Sequence, residues 1–181
     1  TLEAAWQADI GELLQAGLEQ ELCNEIAARK VLIDPDEELE KIIREKISII
    51  TILDESYPKR LKEIYDPPHI LYIKGELKKE DEFALAIVGT RKPSSYGEQV
   101  TPCLSRQLAG AGLTIVSGLA RGIDTMAHLA ALETSGRTIA VVGSGIDRQS
   151  IYPPSNRSLA EKISQNGAVL TEYPLGSMAL K

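Results

Sequence analysis

The sequence predicts an α/β protein, with a parallel sheet that carries helices on both faces and a small helical region before it. Apolar, β-branched runs recur at residues 83–88, 113–117 and 138–142, and each run ends in a glycine-containing turn. Each turn leads into a stretch with helical patterning. Continuous apolar runs favour strands buried on both faces, and their alternation with helices indicates βαβ units. Right-handed crossovers then place all three turns at one carboxyl edge of the sheet, where such sheets bind ligands.

Short helices are predicted over residues 1–46, the last of them a linking helix. Gly17 ends one helix, and Asp34 with Pro35 begins another that runs to about Lys46, because Asp caps helices and Pro suits the first helical position. Short helices joined by glycine turns are typical of helix-hairpin-helix elements that bind phosphate. A helical bundle without a ligand is equally compatible with the acidic composition of this region.

Two apolar segments at residues 47–53 and 70–73 predict further strands, and we expect residues 47–75 to extend the parallel sheet or to flank it. The sequence thus divides into a helical domain, residues 1–46, and a sheet domain, residues 47–181.

The three turns are followed by segments with helical periodicity. Helices are predicted from Gly97 to about Ala109, from Gly122 to about Thr134 and from Ser155-Asn156 to about Gln165, with a fourth strand at residues 168–171. Ser95 and Glu98 have the spacing of a capping box at the first of these helices. Because doubly wound sheets normally continue beyond this point, we expect the sheet domain to be incomplete at its C-terminal end.

The two halves of the sequence differ in the sign of their net charge. The 181 residues carry a net charge of −6, which alone argues against a nucleic-acid partner. Residues 1–82 contain 11 Lys and Arg against 20 Asp and Glu, a net charge of −9, whereas residues 83–181 contain 9 against 6, a net charge of +3. Such asymmetry allows a basic face on an acidic protein.

Several classes of site find little support. Cys23 and Cys103 lie far apart without a metal-binding motif, which favours two free thiols. No apolar stretch approaches the ~18 residues of a membrane span, so a cytoplasmic protein is expected. Asp124 and His128 have the i, i+4 spacing of two metal ligands, but without a third ligand we favour a helix-capping Asp and a structural His.

Motifs for nucleotide cofactors and for catalysis are also missing from the sequence. There is no Walker A motif, and Arg148 replaces the third glycine of a dinucleotide-binding pattern that begins at Gly143. No nucleophile and base are recognisable near Ser117. We therefore predict neither a cofactor nor a metal, and we propose no reaction.

The turns do carry cations suited to phosphate. A turn at a helix N-terminus presents free N–H groups and a positive dipole end, and the arginine fork binds phosphate with two hydrogen bonds. The cations are Arg91 with Lys92, Arg121, and Arg148 with Arg157. Three such turns along one edge favour a track for a polyanion such as a nucleic-acid strand, with Tyr96 and Tyr152 stacking on bases beside it. Solvated arginines beside glycines that merely permit tight turns are an equally good interpretation of the spacing alone.

Taken together, these motifs resemble the DprA/Smf family of bacterial DNA-processing proteins. The matching segments are G-T-R at residues 89–91, S-G-L-A-R-G-I-D at 117–124, G-S-G-I-D at 143–147 and T-E-Y-P at 171–174. The segment at 117–124 is the most specific. The resemblance implies an extended Rossmann-like fold behind a SAM-like helical domain, without a cofactor or enzymatic activity.

The same resemblance implies single-stranded DNA binding. It implies a protein that protects incoming DNA during natural transformation, loads the RecA recombinase onto it while displacing or resisting single-strand-binding protein, and forms homodimers. The resemblance implies that Arg91, Gly118, Arg121, Arg148 and Tyr152 contact DNA. With neighbouring residues of the turns, the predicted DNA-binding residues are Arg91, Lys92, Ser94, Ser117, Gly118, Arg121, Arg148, Tyr152, Asn156 and Arg157. The family's R-N-R-I-I-S-G-L segment and its winged-helix-like domain are absent from these 181 residues, so parts of the DNA, dimer and RecA surfaces are expected to be missing.

Two other functions are considered. One is a Rossmann-like enzyme of the nucleoside monophosphate phosphoribohydrolase type, although its P-G-G-x-G-T-x-x-E motif is not in this sequence. The other is an interaction fragment without an activity of its own.

Overall fold

The computed structural model describes residues 2–179, without the side chain of Leu2. The chain divides into two compact units, Thr1–Lys41 and Ile42–Lys181. The first unit contains helices α1 (Leu2–Gln7), α2 (Ile10–Gln15) and α3 (Gln20–Lys30), and α4 (Pro35–Arg44) begins in it. Gly17 follows α2 with a φ of +92°. A carboxylate oxygen of Asp34 accepts the N–H groups of Asp36 and Glu37, as expected for the start of α4. Likeness of this unit to a SAM or helix-hairpin-helix domain stays a prediction.

The second unit is an α/β domain built on one six-stranded sheet. Its elements are β1 (Ile47–Thr51), α5 (Lys59–Lys62), β2 (Ile70–Gly75), β3 (Ala84–Ala86), α6 (Ser95–Gly110), β4 (Thr114–Ser117), α7 (Ile123–Glu133), β5 (Thr138–Val141), α8 (Arg157–Asn166) and β6 (Ala168–Thr171). Short 3-10 turns lie at Lys79–Glu82 and Pro154–Asn156. The strand order is β1-β2-β6-β5-β4-β3, and β3 to β6 are mutually parallel. The predicted α/β fold class is confirmed. No helix in residues 2–179 is both long and apolar enough to cross a bilayer.

Strands β1 and β2 extend the sheet, but not as parallel neighbours. β1 pairs antiparallel with β2, and β2 pairs antiparallel with β6. The expectation that residues 47–75 extend the sheet is confirmed, but these strands run antiparallel. The connection between β1 and β2 contains only the four-residue α5 and no helix long enough to cross the sheet. Gly75 permits the close approach to β6, since a Cβ there would lie 2.4 Å from the Gly167 carbonyl oxygen.

The first predicted parallel strand is shorter and more exposed than its apolar run suggests. β3 covers three residues and is the last strand of the sheet, so one of its sides has no neighbour. Phe83 is 72% exposed and Leu85 is 43% exposed. The prediction of a strand buried on both faces is therefore wrong for residues 83–88, and the reason is its position at the edge.

Helices cover the two faces unequally. On one face, Ile115 of β4 packs with Ala127 and Ala131 of α7, and Val169 of β6 packs with Ile163 of α8. On the other face, the core consists of sheet residues and the segment around α5; it comprises Tyr57, Leu61, Leu71, Ile73, Val116, Ile139 and Leu170. The three long helices therefore lie on one face and support the turns that follow β3, β4 and β5.

Candidate nucleic-acid interface

The turns after β3, β4 and β5 meet at the carboxyl edge of the sheet, as the parallel strands dictate. We call them the first turn (residues 89–97), the second turn (118–124) and the third turn (143–148). Together with nearby residues they line a cleft of about 480 Å³. The lining consists of Arg91, Lys92, Gly118, Ala120, Arg121, Val142, Gly143, Ser144, Tyr152, Pro153 and Ala179.

The first and second turns are in backbone contact. The Ile123 N–H donates to the Thr90 carbonyl oxygen over 3.2 Å. Gly122 has a φ of +80°, a conformation that L side chains rarely adopt, and a Cβ at this position would lie 2.3 Å from the Thr90 carbonyl oxygen. Glycine at 122 is therefore required both for the backbone conformation and for the approach of the first turn.

A buried carboxylate also joins these two turns. Asp124, only 6% exposed, accepts the N–H of Gly89 at Oδ1 (3.4 Å) and the N–H groups of Gly118 (3.1 Å) and Ala120 (3.3 Å) at Oδ2. The N–H groups of Gly89, Gly118 and Ala120 are consequently occupied within the protein rather than free to bind a phosphate.

The third turn is held by the segment that follows β6. Gly145 N–H donates to the Ser177 carbonyl oxygen (2.8 Å), and Gly176 N–H donates to Asp147 Oδ1 (2.8 Å). Burial would raise the pKa of Asp147, but the hydrogen bonds from Gly176 and Ser150 outweigh burial and lower it below its usual value. Asp147 is thus a charged anchor for the turn.

Three unpaired cations lie at the cleft. Arg91, Lys92 and Arg121 are exposed, and their side chains form no ion pair within residues 2–179. Arg137, immediately before β5, differs from them because its guanidinium is bound to both carboxylate oxygens of Asp81 (2.6 and 2.8 Å). Unpaired cations keep their charge and their donors available for an anion.

The structure brings five of the ten predicted DNA-binding residues together. Arg91, Lys92, Gly118, Arg121 and Tyr152 all line the cleft. Tyr152 is 49% exposed, which leaves part of its ring accessible. Contact with DNA stays a prediction for all of these residues.

The other five do not line the cleft, and four of them are bound within the protein. Ser94 caps α6 through its hydroxyl, which accepts the Gly97 N–H (3.4 Å), so this cap is Ser94 and not the predicted Ser95. The buried Ser117 hydroxyl donates to the Ile87 carbonyl oxygen over 2.6 Å. Arg148 is exposed outside the cleft lining.

Asn156 and Arg157 also serve the fold. The Asn156 side-chain amide donates to the Leu119 carbonyl oxygen (2.8 Å) and to Thr125 Oγ1 (2.7 Å). The Asn156 side chain makes no cap on α8, although this residue immediately precedes the helix. Arg157 donates to the Gln149 carbonyl oxygen (2.6 Å).

The sequence interpretation missed Asp124 as the residue that joins two turns, and it missed the apolar floor. Val142 and Pro153 contribute that floor, and both are buried. The signal for Asp124 was its position in the first turn of a predicted helix beside two glycines, where a carboxylate meets free N–H groups. The residues of the apolar floor lie next to the turns and belong to no sequence motif, so no signal in the sequence could have identified them.

His128 is buried against the sheet four residues beyond Asp124. Its Nδ1 lies 2.7 Å from Thr138 Oγ1, and that hydroxyl donates to the Ile115 carbonyl oxygen. Burial lowers the pKa of His128 to about 4. Asp124 and His128 thus direct their polar atoms to the protein itself, and residues 2–179 contain no group of three or more potential metal ligands.

Comparison with known families agrees with the fold and the motifs. The profile of the family described as DNA recombination-mediator protein A matches residues 48–181. The chain therefore belongs to this family.

Relatives and solved structures give the same result. Protein Smf of Synechocystis is 40% identical over 183 residues, which covers 97% of this chain and 45% of that protein. The X-ray structure of DNA processing protein A from Streptococcus pneumoniae has a TM-score of 0.72 and 41% identity, and the match covers 86% of this chain and 53% of that one. DNA processing protein A from Helicobacter pylori, studied for its single-stranded DNA binding mode, has a TM-score of 0.65 and 37% identity over 75% of this chain and 60% of that one. The chain spans about half the length of the relatives that it matches.

Proposed function

We propose that this chain is the portion of a recombination mediator that binds single-stranded DNA at the carboxyl edge of its sheet. The observation that carries the proposal is the convergence of Arg91, Lys92 and Arg121, all unpaired, on one cleft with an apolar floor. Cations suit the phosphates of a strand, and an apolar surface with the ring of Tyr152 suits exposed bases. Membership of the family and similarity to a relative studied for single-stranded DNA binding support it.

The role that we propose is binding and not catalysis. The cleft lining consists of cations, a phenol, a hydroxyl and small apolar groups, which suit the recognition of an anionic chain. In the complete protein, we propose that this site protects incoming DNA during natural transformation and loads RecA onto it. Single-strand-binding protein and a second copy of the protein are the further partners that we propose.

A fluorescence-anisotropy titration tests the binding directly. The chain is titrated against labelled oligo-dT and against a duplex of equal length, at low and at physiological salt. We expect tighter binding to the single strand, because only unpaired bases expose their faces to the apolar floor, and weaker binding as salt rises. Equal affinity for both DNAs, or no binding at low salt, would contradict the proposal.

A further inference from the structure

Asp124 is a carboxylate at a site that we propose for an anion. It is a buried carboxylate directly behind the cationic turns, and its oxygens occupy N–H groups of both of them. A negative charge there repels phosphate, and it removes three donors that helix N-termini otherwise offer to anions. Asp124 therefore does not bind DNA itself, and its role at this site must be a different one.

The geometry indicates what that role is. Oδ1 of Asp124 binds Gly89 of the first turn, two residues before Arg91, while Oδ2 binds Gly118 and Ala120 of the second turn, next to Arg121. The carboxylate thus connects the backbones that carry the two arginines. A Cβ at position 118 would lie 2.8 Å from Asp124 Oδ2, so any larger residue there would push this carboxylate away.

We propose that Asp124 is a positioning residue for DNA binding, which fixes the first turn against the second so that Arg91 and Arg121 face the same strand. The inference rests on the proposed function, because it assigns a role within that DNA site. Asp124 acts through the two arginines and does not touch the DNA.

Substitution Asp124→Asn separates this role from simple electrostatics. Asparagine keeps one carbonyl oxygen, and its NH₂ group donates instead of accepting. The asparagine oxygen accepts the larger number of hydrogen bonds when it faces the N–H groups of Gly118 and Ala120. The NH₂ group then faces the Gly89 N–H, and because both groups are donors, the connection to the first turn is lost. Loss of a negative charge alone would strengthen DNA binding, whereas loss of positioning weakens it.

The binding experiment compares Asp124→Asn with Asp66→Asn, an exposed aspartate outside the cleft that controls for the same change in charge. For the full chain and labelled oligo-dT, we expect Asp124→Asn to weaken binding by about tenfold, a change that corresponds to one strong contact. Asp66→Asn should bind as tightly as the parent or slightly more tightly.

A double-mutant cycle shows whether the effect passes through the first turn. Arg91→Ala should add little to Asp124→Asn, because Arg91 is already displaced, whereas Arg121→Ala should multiply with it. If Asp124→Asn weakened binding by general unfolding, its loss of affinity would multiply equally with that of both arginine variants. That result would overturn the positioning role. Binding by Asp124→Asn as tight as that of the parent would also overturn it.

Amide hydrogen exchange without DNA tests the connection independently of the proposed function. In Asp124→Asn, we expect exchange of the Gly89 N–H to accelerate by about tenfold or more while the Gly118 N–H keeps its protection. Unchanged protection at Gly89 overturns the inference. If the parent chain binds no single-stranded DNA, the proposed function fails, and the exchange at Gly89 alone then shows whether Asp124 holds the turns together.

Discussion

Individual polar residues of α7 support the candidate site from inside the protein. Asp124 and His128 lie on the face of α7 that packs toward the sheet, and both are buried. Asp124 is matched by three N–H donors, whereas His128 Nε2 is buried without a hydrogen-bond partner among the described residues. A buried imidazole without a negative partner favours the neutral form.

This property predicts a pH-dependent stability. The pKa of His128 is about 4 in the folded protein and 6.5 in its ordinary state, so the unfolded chain takes up a proton first as the pH falls. The His128 contribution is therefore fully present above pH 6.5 and is lost progressively toward pH 4, by about 3 kcal/mol in all. Urea unfolding between pH 4 and pH 7.5 measures it.

Substitution of each of the two histidines in turn provides the controls for this prediction. His128→Gln should flatten the pH dependence of the free energy of unfolding across that range. His69→Gln should leave it unchanged, because His69 is exposed. A parent protein whose unfolding free energy is as insensitive to pH as that of His128→Gln would contradict the prediction.

At the scale of elements, the sequence predicts what depends on neighbours along the chain. The runs at residues 113–117, 138–142 and 168–171 form parallel strands as predicted, because an apolar run is a local feature of the sequence. The antiparallel pairing of β1 and β2 and the edge position of β3 depend on partners distant in sequence, and their own patterns did not reveal them.

The candidate site shows the same division. Arg91 and Arg121 could be predicted at this edge because each lies in the turn that follows a strand, and the two strands are parallel neighbours. Asn156 and Arg157 could not be excluded from the sequence, because their carbonyl acceptors on Leu119 and Gln149 come together only in the folded chain. The position of Arg148 could not be predicted either, because its turn is held by residues 174–177, which come close to it only in the folded chain.

The connection between β2 and β3 is fastened by an ion pair. Arg137 binds Asp81 through two nitrogens and also donates to the Glu76 carbonyl oxygen, and the Thr114 hydroxyl donates to Asp81 Oδ1 (2.9 Å). Burial would raise the pKa of Asp81, but the hydrogen bonds from Arg137, Lys78 and Thr114 lower it below 3.8. The ion pair is thus intact above pH 3.8 and is lost as the pH falls through the lowered pKa.

Loss of this carboxylate should destabilise the sheet unit. We expect Asp81→Asn to lower the free energy of unfolding at pH 7 by about 2 kcal/mol, because the half-buried Arg137 loses its charged partner. Glu80→Gln, an exposed neighbour, should change it by less than about 0.5 kcal/mol. Equal effects of the two substitutions in urea unfolding would show that the ion pair does not stabilise the connection.

On the scale of the whole molecule, charge is segregated. The chain has a net charge of −6, yet the cleft at the carboxyl edge of the sheet is lined by three cations and no carboxylate among the described residues. The net charge of the whole chain therefore does not describe this cleft, and the charge of residues 83–181 is the better guide to the anion that we propose for it. The acidic remainder of the molecule predicts that binding depends on this cleft and not on diffuse attraction.

The measurement that tests this most directly is the salt dependence of oligo-dT binding for Arg91→Ala and Arg121→Ala, with Arg60→Ala as the matched control. Arg60 is an exposed arginine of α5 outside the cleft. We predict that each cleft variant weakens binding by about tenfold and makes the slope of log K against log salt shallower by about 0.7, the value for one lost phosphate contact on a single strand. Arg60→Ala should match the parent in both respects. Cleft variants that bind like Arg60→Ala, with the slope of the parent, would contradict the account.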